Sequence, residues 1–108
     1  MKTMLLSIKM EDAALTGDQL NRIEALIETF GYTIIRNFNY IFPNGAITWG
    51  FILGESHFVL HTYPEYNKVF CDLFTCKDEE KSRLISLSMQ IATILEGQIA
   101  DLDISERN

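Results

Sequence analysis

Residues 32–75 read YTIIRNFNYIFPNGAITWGFILGESHFVLHTYPEYNKVFCDLFT, and this stretch decides the fold. Residues 32–41 are β-branched and aromatic, the composition of a strand. Phe42-Pro43-Asn44-Gly45 is a turn, and residues 46–53 form a second apolar strand. Gly54 interrupts it, which suggests a bulge or a close backbone approach. Residues 57–62 continue as a strand, Tyr63-Pro64-Glu65-Tyr66-Asn67 turns, and 68–75 is another strand. Strands that follow one another without a helix between them pair antiparallel, so the class is α+β.

Helical periodicity lies on either side. Thr16-Gly17-Asp18-Gln19 fits a capping box, with Asp18 an alternative N-cap. Leu20, Ile23, Leu26, Ile27 and Phe30 recur at helical spacing, and Gly31 suits the position just past the end. A helix over 18–30 follows. Asp78 can cap a second helix, with Glu79 and Glu80 in its first turn. Leu84, Leu87, Ile91, Ile94 and Leu95 make its buried stripe, and Gly97 ends it. Residues 3–9 and 98–104 read as outer strands, giving the order β-α-β-β-β-β-α-β. The expectation is a two-layer sandwich, an antiparallel sheet with both helices on one face. The uncovered face then calls for a partner, which points to a dimer.

The chain of 108 residues is one domain, 1–108, without repeat or linker. A net charge of −6 with scattered Lys and Arg argues against nucleic acid, whose recognition relies on clustered cations. Apolar runs stay short of the ~18 residues that span a bilayer, and the N-terminus lacks the features of a signal peptide. A cytoplasmic location with no membrane partner is expected, where Cys71 and Cys76 are free thiols.

Residues 54–65, GESHFVLHTYPE, concentrate the chemistry. A carboxylate, a hydroxyl and both histidines of the chain lie within seven residues, Glu55 to His61, beside the interrupting Gly54. Taken singly, each Ser or His reads as a polar strand end, and each cysteine as a small buried hydrophobe. His57 and His61 share a strand face, and a cysteine could complete a zinc site. No Cys-x2-Cys pair supports that, and no metal is expected. A Cys–His nucleophile is formally open, without local support.

As a set, the motifs are more specific. Glu55-Ser56-His57, His61-Thr62-Tyr63-Pro64-Glu65 and Asp72-Leu73-Phe74-Thr75-Cys76-Lys77 resemble the signature of the prokaryotic S-adenosylmethionine decarboxylases. That family carries Glu-Ser-His, then His-Thr-Trp-Pro-Glu, then Asp-apolar-Phe-Thr-Cys-Gly. The resemblance implies a proenzyme that cuts itself between Glu55 and Ser56, into 1–55 (β chain) and 56–108 (α chain). Ser56 Oγ attacks the Glu55 carbonyl, and elimination of the resulting ester leaves a pyruvoyl group derived from Ser56. It also implies that His61 accepts a proton in processing and that Thr48 assists. The pyruvoyl ketone then forms a Schiff base with the substrate amine, and Cys76 returns a proton to Cα. Phe42 and Tyr63 would stack the adenine, Glu65 would meet the ribose or the substrate's polar edge, and active sites would form in a homodimer. The product would supply aminopropyl groups for spermidine.

Tyr63 in place of Trp, and Lys77 in place of Gly, depart from the pattern. They leave arginine or ornithine as alternative substrates. An unprocessed binding homologue is the alternative from another class. Parity adds a difficulty: Ser56 and His61 are five apart, so an unbroken strand points them to opposite faces. Irregular backbone is therefore expected at 54–57.

Overall fold

The computed structural model describes residues 2–13 and 15–107. The elements follow the expected order: β1 Thr3–Glu11, α1 Gly17–Thr29, β2 Ile34–Ile41, β3 Ile47–Leu53, β4 Ser56–Tyr63, β5 Lys68–Thr75, α2 Lys81–Leu95 and β6 Gln98–Arg107. The six strands form one antiparallel sheet in the order β2-β3-β4-β5-β1-β6. Strands β2 to β5 are neighbours in sequence and in space. β1 closes against β5, and β6 against β1.

Alternation along the strands sorts side chains into two layers. Met4, Leu6, Ile8 and Met10 of β1 point to the same side as Phe58 and Leu60 of β4 and Val69, Cys71 and Leu73 of β5, all of them buried. Ile23, Leu26 and Ile27 of α1, with Leu84, Leu87, Ile91 and Leu95 of α2, close this core from above. The opposite face carries no helix among the described residues. Tyr40, Thr48, His61, Phe70 and Lys9 form one cross-strand row there, and Arg36, Ile52, His57, Phe74 and Leu5 another. Phe38, Tyr40, Ile52, Tyr63 and Phe70 are exposed on this face. Gly50 gives the Phe38 ring its space, since a Cβ would lie 2.6 Å from that ring.

The start of α1 follows the capping box read from the sequence, while both ends of α2 differ from that reading. At α1 the cap is Thr16, whose N–H donates to Gln19 Oε1 at 2.6 Å, so the capping box prevails over Asp18. At α2 the N-cap is Glu80, not Asp78. Asp78 is drawn instead to Lys2, 3.1 Å away, and Glu79 turns inward before the helix starts. The left-handed residue that ends α2 is Glu96, with φ 53°, rather than Gly97. Gly97 is required by packing: a Cβ there would stand 2.7 Å from that of Ala13.

The expected irregularity at 54–57 takes another form. Gly54 and Glu55 make a two-residue turn joining β3 to β4, with Leu53 paired to Ser56 and Ile52 to His57. The strand is regular from Ser56 onward, and there is no bulge at Gly54. The unusual backbone belongs to Glu55, which has φ 62°. Register shifts lie elsewhere, at Lys9/Met10 and Ile34/Arg36.

Candidate active site

The Glu55–Ser56 bond lies at the tip of the β3–β4 hairpin. An L-residue in the left-handed region crowds its Cβ against the following carbonyl, at a cost of roughly 1–2 kcal/mol. Glu55 carries that conformation immediately before the bond, and its side chain is exposed. The turn is held by Gly54, whose N–H donates to Thr33 O at 3.1 Å. Ser56 points into the helix-covered layer and is 9% exposed. Its Oγ accepts the Cys76 N–H at 3.4 Å and donates to Thr75 Oγ1 at 3.4 Å. Ser56 and Cys76 therefore meet, although twenty residues separate them, because β4 and β5 are adjacent and both motifs lie at the same end of the pair.

A second cluster occupies the other end of β4. Phe42, Thr48, His61, Tyr63 and Glu65 line a cleft of about 420 Å³, together with Asn44. Thr48 and His61 face each other across β3 and β4, with Thr48 Oγ1 3.0 Å from His61 Nδ1. That bond engages Nδ1 and fixes the ring. Asn44 Nδ2 donates to Glu65 Oε1 at 2.8 Å, tying the carboxylate to the Phe42–Gly45 turn. Phe42 rests edge-on against Tyr40 at 4.8 Å, and Tyr63 edge-on against Phe70 at 5.4 Å.

The residues singled out from sequence thus fall into two groups. Glu55, Ser56 and Cys76 form one. Thr48, His61, Phe42, Tyr63 and Glu65 form the other. Within one chain the structure does not bring Ser56 and His61 together. They stand on opposite faces of a regular strand, about 16 Å apart at a strand's rise of ~3.3 Å per residue. The irregular backbone that could have joined them is absent, since the turn ends at Glu55.

Sequence reasoning missed the groups behind Ser56. Tyr32 Oη lies 3.2 Å from Thr75 Oγ1 and 3.1 Å from Glu79 Oε1, and all three residues are buried. Arg83 Nε pairs with Glu79 Oε2 at 2.9 Å, and its Nη2 donates to Phe30 O. Burial pushes the Tyr32 phenol up to about 12. A polar Glu-Glu step before an apolar helix pattern was visible in the sequence, but it read as a helix start, because inward rotation of Glu79 depends on Tyr32 and Arg83. Lys77 also has partners: its Nζ donates to Gly31 O at 2.6 Å and sits 4.8 Å over the Tyr32 ring.

The remaining candidates are accounted for by packing. Cys71 is fully buried, and desolvation pushes its thiol far up. His57 stacks on Phe74 at 5.4 Å. Among the described residues no three His, Cys, Asp or Glu side chains converge as a metal site, and no helix is long and apolar enough to cross a membrane.

Comparison with known proteins adds family evidence to this geometry. Residues 11–101 match the family described as S-adenosylmethionine decarboxylase. The chain is 30% identical to the S-adenosylmethionine decarboxylase proenzyme of Thermosipho melanesiensis over 94 residues, covering 79% of this chain and 72% of that one. It is 33% identical to the proenzyme of Aquifex aeolicus over 89 residues, covering 75% and 65%. The crystal structure of the adenosylmethionine decarboxylase from Aquifex aeolicus superposes with a TM-score of 0.68 over 98% of this chain and 88% of that one, at 21% identity. At that identity the superposition establishes the shared fold.

Proposed function

We propose a function from one premise: the chain belongs to the S-adenosylmethionine decarboxylase family. Its activity is the decarboxylation of S-adenosylmethionine, a carboxy-lyase reaction. The relatives are proenzymes, and the observation that carries the same reading here is the pair Glu55–Ser56. A strained residue precedes the bond, and the serine hydroxyl beyond it already rests on the Cys76 amide.

Self-cleavage at this bond gives chains 1–55 and 56–108, with a pyruvoyl group at position 56. The surroundings fit such a group. Its ketone would begin a strand at an exposed turn, next to Cys76. A pyruvoyl group held there beside Cys76 would supply a carbonyl for the substrate's α-amine and an electron sink for decarboxylation. Cys76 then supplies the proton that returns to Cα.

The cleft provides recognition. Phe42 and Tyr63 offer aromatic faces to the adenine and to the sulfonium cation. Glu65, steadied by Asn44, accepts hydrogen bonds from ribose hydroxyls. This aromatic lining favours S-adenosylmethionine over arginine or ornithine. Lys77 does not alter that preference, because its ammonium is engaged by Gly31 and Tyr32 and lies outside the cleft.

Two separated half-sites on one chain are best reconciled by two copies of it. The uncovered sheet face, with its exposed Phe38, Tyr40, Ile52 and Phe70, provides the surface for a homodimer. In such a dimer the Phe42–His61 cleft of one protomer serves the Ser56–Cys76 end of its partner. Parity binds residue 56 only while the chain is intact. After the cut it is a chain end, free to turn toward the open face.

The test is CO2 release from S-adenosylmethionine, arginine and ornithine, measured in parallel on cleaved protein. Turnover of S-adenosylmethionine alone is expected. Turnover of a basic amino acid in its place would overturn the substrate assignment.

A further inference from the structure

We infer that Thr75, Tyr32 and Glu79 form a proton relay that removes the hydroxyl proton of Ser56 as its Oγ attacks the Glu55 carbonyl. This inference rests on the self-processing reading above and gives its first step a base. His61 of the same chain cannot be that base before cleavage, because Ser56 points into the covered layer and His61 stands on the other face of the sheet.

The links run from Ser56 Oγ to Thr75 Oγ1 at 3.4 Å, to Tyr32 Oη at 3.2 Å, and to Glu79 Oε1 at 3.1 Å. Counting protons orients them. A carboxylate only accepts, so Tyr32 gives its single proton to Glu79. Tyr32 Oη is then an acceptor toward Thr75, and Thr75 Oγ1 is already an acceptor of the Lys77 N–H at 3.0 Å. Its own proton goes to Tyr32, and the Ser56 proton goes to Thr75. Every hydroxyl donates toward Glu79. The Cys76 N–H on Ser56 Oγ completes the serine and steadies negative charge as it develops there.

Burial argues for a role beyond packing. Thr75 is 0% exposed, Tyr32 4% and Glu79 9%. Placing a carboxylate and two hydroxyls under a helix layer incurs desolvation that Phe at 32 and Val at 75 would avoid at nearly the same shape. Tyr32, held protonated by its burial, passes a proton on and does not itself act as the resident base. Glu79 is kept in place by Arg83.

The step balances. The Ser56 proton moves to Thr75 as the Thr75 proton moves to Tyr32 and the Tyr32 proton moves to Glu79. The Oγ electron pair forms a bond to the Glu55 carbonyl carbon. Collapse of the adduct breaks the C–N bond, and the Ser56 nitrogen takes a proton from water at the exposed turn. Glu79 then releases its proton to solvent. An amide has become an ester, without oxidant or co-reactant.

The test follows cleavage by intact mass in freshly purified protein. Tyr32→Phe and Glu79→Gln should each slow appearance of the 1–55 fragment about 100-fold, while far-UV circular dichroism stays unchanged. Glu79→Asp and Thr75→Ser should keep much of the rate. In mixtures of H2O and D2O the unsubstituted chain should give a bowed proton inventory, since several protons move together, and Tyr32→Phe a linear one. Wild-type cleavage rates in Tyr32→Phe and Glu79→Gln would overturn the relay alone. A linear inventory for the unsubstituted chain would do the same, and would decide the matter even if a variant failed to fold. An unsubstituted chain that never cleaves would instead overturn the processing reading beneath it.

Discussion

Ser56 and His61 lie on one regular strand, β4, and face opposite sides of the sheet: Ser56 into the helix-covered core, His61 onto the open face beside Thr48. This relationship separates the two stages of the proposed chemistry. Attack on the Glu55 carbonyl belongs to the covered side. His61 can serve only a serine-derived group that has left its strand position, or one on a second copy of the chain.

Mixed dimers test the second possibility. Ser56→Ala protein should remain uncut and inactive, and His61→Ala protein should be inactive on its own. Coexpressed with random pairing, half the dimers are mixed and each holds one intact composite site, so about a quarter of wild-type activity should return. Activity that stays absent in verified mixed dimers would place Ser56 and His61 in the same protomer's site.

Cys76→Ala should still yield both fragments, since the serine contact is made by the residue 76 backbone N–H and not by the thiol. Its decarboxylation rate should fall about 100-fold or more, the usual loss for a general acid. Intact mass and CO2 release, read together, separate the two effects. Loss of cleavage would contradict the role given to the thiol.

Glu55→Gly should relieve the left-handed strain. In a Ser56→Ala background, which stays uncut, chemical denaturation should show a gain of about 1 kcal/mol. In the cleavable chain the same change should slow cleavage, because the strain that raises the intact bond is gone. A destabilised turn would show that Glu55 holds its conformation through contacts of its own.

Much of this fold was legible because the sequence has strong local signals. Alternation in 57–62 and 68–75, and the Leu84–Leu95 stripe, each specify one buried face. The motif residues could also be placed, since Ser56 and Cys76 end adjacent strands. The helix starts were less legible. Asp78 and Glu80 are chemically alike as caps, and only the pull of Lys2 on Asp78 and the inward turn of Glu79 separate them. Nor did spacing announce the Ser56–Thr75–Tyr32–Glu79 chain. Tyr32 reaches it from the loop after α1, and Thr75, although it lies within the Asp72–Lys77 motif, carried no assigned role. The division of the site into two ends was foreshadowed by parity alone.

Tyr32 also predicts a pH effect on stability. Its folded-state value of about 12 lies above the ordinary phenol value of 10.0, mainly through burial. The unfolded chain therefore loses this proton first. The stabilising contribution is complete below about pH 10 and is lost as pH rises toward 12. In the uncut Ser56→Ala background, denaturation midpoints should fall more steeply over that window with Tyr32 than with Tyr32→Phe. Equal slopes would mean that the phenol titrates alike in both states.

The most direct measurement is the intact mass of freshly purified, unsubstituted protein. Two fragments should be seen, divided between Glu55 and Ser56, with the second bearing a pyruvoyl group at its N-terminus and Ser56→Ala remaining whole. A single full-length mass that persists through incubation would contradict the account.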